Sequence, residues 1–132
     1  MHWSLTISSE TKNIELLRAF LKSIFVESGL ELIHFNKVFL GFSEAVCNSI
    51  SHGNQFVSSK FVYVDIFCDR LSIVITVKDE GCGFDYNRVM DPTIADNLKK
   101  DSGRGIFILR NIADEVFYFD NGSRVLIKFI LK

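Results

Sequence analysis

The sequence predicts an α+β fold: a two-layer sandwich in which helices cover one face of a mixed, mostly antiparallel sheet. Strand-like segments with period-2 alternation are grouped as hairpins. Two long segments of helical period stand together between the first strand and the first hairpin. Asn121-Gly122, a strong hairpin-turn pair, separates the last two strand-like runs. Strands paired as hairpins with helices inserted between them favour an antiparallel or mixed sheet covered on one side. A chain of 132 residues fits one domain with a real core, so residues 1–132 are read as a single unit.

Taken in order, Trp3, Leu5 and Ile7 alternate with Ser4, Thr6 and Ser8, which predicts a strand with one buried face. Ser9, Thr11 or Asn13 can cap the next element. Ile14, Leu17, Phe20, Leu21, Ile24 and Phe25 recur at helical spacing, and Gly29 stands where that helix stops. A second helix is predicted over residues 35–52, ending at Gly53-Asn54. Residues 59–68 alternate through Phe61, Tyr63, Asp65 and Phe67. Asp69-Arg70 turns the chain into residues 71–78, with Leu71, Ile73, Ile75 and Val77 as the inward set. Beyond Asp79, residues 86–90 form a helical turn ended by Asp91-Pro92, and the polar residues 93–102 read as a mobile loop. A helix follows over residues 103–115, then a hairpin of residues 116–119 and 124–131.

Composition narrows the function classes. A hydrophobic fraction of 48% and a charged fraction of 23% are ordinary for a soluble globular chain. Thirteen phenylalanines against one proline suggest a well-filled core and few rigid loops. A net charge of -1 argues against an electrostatic nucleic-acid binder. Cys47, Cys68 and Cys82 form no CxxC pair, which fits reduced thiols in a cytosol better than a disulfide frame or zinc site. The N-terminus lacks the basic head and apolar run of a signal peptide, and no stretch approaches the length of a membrane span. The expectation is a cytoplasmic protein that engages neither membrane nor nucleic acid directly.

The chemistry centres on residues 42–54, FSEAVCNSISHGN. Glu44 and Asn48 are four residues apart and share one helix face, with Ser51 and His52 continuing that side. An amide oxygen suits a hard cation such as Mg²⁺, which prefers oxygen ligands and keeps part of its water shell. A neighbouring carboxylate can orient or deprotonate a hydroxyl. Asp79 ends a strand and opens DEGCGFD, where a carboxylate can accept a hydrogen bond from a base's exocyclic amine. Gly81 and Gly83 there allow a close backbone approach or positive φ. Gly103-Arg104-Gly105-Ile106 starts a helix, and free N–H groups at such a start form a phosphate cradle to which Arg104 adds charge. Lys99 and Lys100 precede this cradle and are either solvated or close to phosphates. His52 is most simply a packing or capping residue. Cys82 has no basic neighbour that marks it as a nucleophile. Neither a Rossmann GxGxxG nor a P-loop is present, so any nucleotide is bound in another way.

Taken together, these pieces resemble the Bergerat-fold ATPases, the superfamily of gyrase B, Hsp90 and histidine-kinase catalytic domains. SEAVCNSISHGN resembles the N box, KDEGCGFD the first glycine box, and SGRGIFILRNIADEV the second, in matching order over nearly the whole chain. Within the superfamily the pattern is most similar to the bacterial anti-sigma factor serine kinases. The resemblance implies ATP and Mg²⁺ as cofactors, with Glu44 as general base and Asn48 as the metal ligand. It also implies Asp79 on the adenine amine, with Gly81 and Gly83 shaping that pocket. His52 and Phe84 belong to the matching boxes and are carried over as nucleotide-binding. Gly103, Arg104, Gly105 and Ile106 would cradle phosphates, and Ser123 would fall near the adenine-site water network. Arg104 stands where the family often has an apolar residue, and Gly122-Ser123-Arg124 where it has a Gly-Thr strand start.

By the same resemblance, the substrate is a serine on an anti-anti-sigma (STAS-domain) partner, the other partner is a sigma factor, and the protein is a homodimer. The competing reading is a nucleotide-gated partner-switch module with little chemistry. A histidine-kinase catalytic domain is less favoured, because no phosphoacceptor-helix region precedes the first strand.

Overall fold

The structure is a computed structural model that describes residues 1–81 and 109–131. In chain order these form β1 (His2–Ser8), α1 (Ile14–Ser28), α2 (Phe35–Asn48), β2 (Phe61–Cys68), β3 (Ser72–Lys78), β4 (Glu115–Phe119) and β5 (Arg124–Ile130). The sheet order is β1-β2-β3-β5-β4, and among the described residues every pairing is antiparallel. The two-layer α+β architecture is the one the alternation and helical periods predict. Expectations for Cys82, Gly83, Phe84, residues 86–102 with Lys99 and Lys100, and Gly103, Arg104, Gly105 and Ile106 lie outside the described residues.

Each helix buries one stripe. Leu17, Leu21, Ile24 and Phe25 of α1 and Val38, Phe42, Ala45 and Val46 of α2 pack onto the inner sheet face. Gly29 ends α1 at φ 67, a left-handed conformation in which a Cβ is disfavoured. That turn lets the Leu30 N–H reach the Phe25 carbonyl at 3.0 Å. Of the three candidate caps, none caps α1 through its side chain; Asn13 instead donates to Ser8 at 2.8 and 3.0 Å, tying α1 to the end of β1. Gly41 brings α2 against the sheet, since a Cβ there would lie 2.7 Å from the Phe129 ring. Burial of this face is the main stabilising term, at roughly 25 cal/mol per Å² of apolar surface.

The inner sheet face takes Val62, Val64, Ile66, Ile73, Ile75, Val77, Val125, Ile127 and Phe129, all buried. Period-2 geometry therefore sends Phe61, Tyr63 and Phe67 of β2 to the open face, where they are exposed. The thirteen phenylalanines do not all fill the core: Phe56, Phe117 and Phe119 are exposed as well. Leu71 does not join the inward set; it precedes β3, in the Asp69-capped turn, and is exposed. The last hairpin turns through four residues rather than two, because Phe119 pairs with Arg124. Asp120 and Asn121 take left-handed φ of 54 and 58 to close it. The helix expected over residues 103–115 has helical backbone at residues 109–112 and has given way to β4 by Glu115.

Candidate functional site

The site is built where the second helix changes pitch. The expected helix over residues 35–52 stays α-helical only to Asn48, and Ser49–Gly53 form a π-helical turn. Two side-chain and backbone bonds mark the change. The Ser51 hydroxyl donates to the Cys47 carbonyl at 2.8 Å, and the Asn54 N–H reaches back five residues to the Ser49 carbonyl at 2.8 Å. Isolated π turns of this kind occur often at functional sites.

Asn54 holds this turn against the sheet. Its side chain is fully buried, with its amide donating to the Ser9 hydroxyl at 2.7 Å and the Phe61 carbonyl at 2.9 Å. Its amide oxygen accepts the Glu80 N–H at 2.8 Å. One side chain thus joins the end of β1, the start of β2 and the segment after β3. Asn54→Ala removes the donor to the buried Ser9 hydroxyl and the partners of the partly buried Phe61 carbonyl and Glu80 N–H, at about 1–3 kcal/mol for an orphaned buried group and less for the others. We expect a loss of about 2–4 kcal/mol, read by urea denaturation; a change under about 0.5 kcal/mol would remove Asn54 from this role.

Beside Asn54, three groups interlock. A Cβ on Gly53 would lie 2.2 Å from an Asp79 carboxylate oxygen, and one on Gly81 would lie 2.0 Å from the Gly53 carbonyl oxygen. The close approach expected at Gly81 is therefore made, but to the protein's own backbone, and Gly81 is not among the positive-φ glycines. Asp79 is 4% exposed. Its carboxylate accepts the Gly81 N–H at 2.8 Å and a hydrogen bond from the Ser49 side chain. Its own N–H donates to the Ser123 carbonyl at 2.9 Å. Burial pushes this carboxyl above its usual range, against the opposing pull of the Gly81 N–H, the Ser49 hydroxyl and the Lys60 charge.

Asp79 opens into a pocket. Among the described residues Ala45, Asn48 and Ser49 line its helix side and Val77 and Val125 its sheet side, with Leu109, Tyr118 and Gly122 also lining it. A second pocket of about 200 Å³ lies on the other side of Asn48, lined by Glu44, Cys47, Ser51 and Ile50 with Thr11, Ile14 and Phe56. Asn48 lines both. Glu44, Asn48 and Ser51 are thus brought together as their spacing predicts, whereas His52, one residue further along the π turn, lines neither of these pockets. The Ser123 hydroxyl donates to the Asp120 carbonyl at 2.9 Å, and it is the neighbouring Gly122 that lines the Asp79 pocket. Cys47 has its thiol pushed up first by burial and then by the Glu44 carboxylate, which keeps it a poor nucleophile.

Several site residues escape the sequence reading. Ser49 and Gly53 lie inside the motif but carry no chemistry of their own; their value is the contact each makes with Asp79. Asn54 reads only as a helix stop. Tyr118 lies far along the chain and joins the site through the β4–β5 and β3–β5 pairings.

Residues 7–129 match the family described as the histidine kinase-like ATPase domain. The chain belongs to this family. The three boxes quoted above all fall inside the matched span, so the family and the motifs rest on the same residues. This histidine kinase-like ATPase domain is also similar to anti-sigma F factors of Bacillus cereus strain G9842, Bacillus thuringiensis strain Al Hakam and Bacillus mycoides strain KBAB4. Each is 34% identical over 84 residues, 61% of this chain and 57% of the relative. The chain thus aligns with little more than half the length of those relatives. A solved structure of the RsbU and RsbW domains of a Mycobacterium tuberculosis protein superposes on all of this chain and 32% of that one. The TM-score is 0.65 at 15% identity, a likeness of fold.

An ATPase domain implies ATP, and the groups around Asp79 fit an adenine by their chemistry, while the cavity there encloses only about 10 Å³, the room of one water. A buried carboxylate can accept an exocyclic amine, and apolar Ala45, Val77 and Val125 offer faces to a flat ring once these walls move apart. Among the described residues no three His, Cys, Asp or Glu side chains cluster to hold a metal. A single amide oxygen at Asn48 nevertheless fits Mg²⁺, which in nucleotide sites draws most of its ligands from phosphate and water. No helix among the described residues is long and apolar enough to cross a membrane.

Proposed function

We propose that this domain is an ATP-dependent protein serine kinase that phosphorylates a serine on an anti-anti-sigma (STAS-domain) partner and sequesters a sigma factor. The observation that carries the reading is the division of one helix face between two pockets. Asn48 is common to both, buried Asp79 closes one, and Glu44 lines the other. Such a layout suits an acceptor hydroxyl on the Glu44 side and a donor nucleotide on the Asp79 side, where the cavity of about 10 Å³ widens to admit the base. The similarity to anti-sigma F factors supports the choice of partners.

In this reading Asp79 orients the base, and the Ser49 hydroxyl and Gly81 N–H hold Asp79 in place. Asn48 presents its amide oxygen toward the phosphates. Glu44 accepts the proton of the serine hydroxyl as its oxygen bonds to the terminal phosphorus; the bond from that phosphorus to the bridging oxygen breaks, and ADP leaves. Bound Mg²⁺ supplies charge compensation on the phosphates, and positioning with electrostatics supplies most of the rate in this class of reaction. The proposal extends to His52, Phe84, Gly83, Gly103, Arg104, Gly105, Ile106 and Ser123 as nucleotide contacts, and to a cytoplasmic homodimer.

The test is calorimetry of ATP with and without Mg²⁺, followed by transfer of labelled phosphate to a STAS-domain protein, with sedimentation of the same sample. Expected are Mg²⁺-strengthened ATP binding, label on serine and a dimer. Binding without transfer would replace the kinase by a nucleotide-gated partner-switch module. No binding at millimolar ATP would overturn both.

A further inference from the structure

The Glu44 pocket has a wall that nucleotide chemistry does not explain. Gln55 and Phe56 both take left-handed φ, 52 and 60, one residue beyond the π turn. Two successive non-glycine residues there are disfavoured, and such strain persists only where surrounding structure imposes it. The imposing bonds are visible. The Phe56 N–H donates to the Ile50 carbonyl at 2.8 Å, and the Val57 N–H to the Asn54 carbonyl at 3.0 Å. Phe56 is consequently held by its backbone, and its ring stays 59% exposed beside Glu44 rather than packing into the core.

Across from it stands Ile14, the first residue of α1, with Thr11 in the turn before it. The cavity of about 200 Å³ is smaller than the roughly 300–1,000 Å³ of sites that enclose a whole small ligand. It is matched to a side chain. Its chemistry combines apolar walls, Ile14, Ile50 and Phe56, with a carboxylate, Glu44. Asn48 lines both this cavity and the Asp79 pocket.

We propose that this cavity receives the phosphoacceptor segment, an extended peptide whose serine hydroxyl faces Glu44 while an apolar side chain next to that serine packs between Phe56 and Ile14. The inference rests on the kinase reading and adds an acceptor-specificity residue, Phe56, with a preference for an apolar neighbour of the serine. Phe56 acts on the acceptor and not on the nucleotide. The backbone bonds to Ile50 and Asn54 fix the position from which the ring extends before the acceptor arrives, so the backbone needs no ordering on binding.

The experiment uses a serine-centred peptide array with the two flanking positions varied, labelled with radioactive ATP, on wild type, Phe56→Ala and Phe56→Leu. Wild type is expected to label apolar-flanked peptides at least tenfold better than acidic-flanked ones. Phe56→Ala should lose that preference through KM by about tenfold, Phe56→Leu should recover part of it, and the ATP Kd should stay within about twofold in both. Wild-type labelling indifferent to the flank, or an unchanged KM in Phe56→Ala, would overturn the inference and leave the kinase standing. A raised ATP Kd in Phe56→Ala would assign the cavity to the nucleotide and overturn it. Tight ATP binding with no peptide labelled and no label on a STAS-domain protein would fail the kinase reading itself; label on the protein alone would fail only the extended-peptide acceptor.

Discussion

Asp79→Asn is expected to lower ATP affinity by about 100-fold or more while leaving the domain folded. A charge-assisted hydrogen bond contributes about 1.5–3 kcal/mol, and the replacement amide adds a donor that has to face the donor of the adenine amine. Together these amount to about 3–4 kcal/mol, or two to three orders of magnitude in Kd. Calorimetry reads it directly, and an ATP Kd within about threefold of wild type would show that the base is held elsewhere.

The same variant has a second signature without ligand. Burial raises the Asp79 carboxyl above its ordinary value of 3.8. Below that value both the folded and the unfolded chain carry the proton, and the site contributes no slope. As pH rises above it, the unfolded chain releases its proton first and the folded chain retains it, so wild-type stability falls until the folded group also ionises. Asp79→Asn removes this decline. Urea midpoints measured from pH 3.8 upward should therefore diverge, with the variant gaining relative to wild type. Parallel curves would mean that Asp79 ionises in the folded protein as it does in the unfolded chain.

Glu44→Gln is expected to reduce phosphoryl transfer by about 10²–10⁴-fold, the usual contribution of a positioned general base. ATP binding should survive within about threefold, since Glu44 lines the Phe56 pocket and not the one closed by Asp79. Glutamine keeps the shape of the side chain while removing its charge and its capacity to accept a proton. The comparison therefore isolates the chemistry from packing. Transfer at the wild-type rate would dismiss Glu44 as the base, whereas a proportional loss of ATP binding would make it a nucleotide contact.

The two variants separate donor from acceptor on the two sides of Asn48, and the helix that carries Asn48 and Glu44 was largely legible from local spacing. Glu44 and Asn48 share a face because four residues nearly complete an α-helical turn, a relation that any stretch of α-helix enforces. Asp79 was placed at a strand end by the alternation of Ile73, Ile75 and Val77, which are all buried on the inner face. The helix did not continue to His52, however. The pitch change at Ser49 depends on Asn54 being drawn into contacts with Ser9, Phe61 and Glu80, which lie 45, 7 and 26 residues away along the chain. A periodicity argument has no access to such partners.

What the sequence alone determined, then, is what short-range geometry controls: the α+β class, the buried stripes of α1 and α2, the stop at Gly29 and the Glu44–Asn48 face. It also carried the three motif boxes whose order agrees with the family match. Only the tertiary structure decided which contacts turn those residues into a site. Gly53 and Gly81 are glycines because Asp79 and a carbonyl occupy the space of their Cβ atoms. Tyr118 reaches the Asp79 pocket because β4 pairs with β5 and β5 with β3. Phe56 stands exposed beside Glu44 because backbone bonds to Ile50 and Asn54 hold the turn in a left-handed conformation that its side chain would not choose. In each case the deciding partner is brought near by the packing of the whole chain, and local propensity carries no record of it.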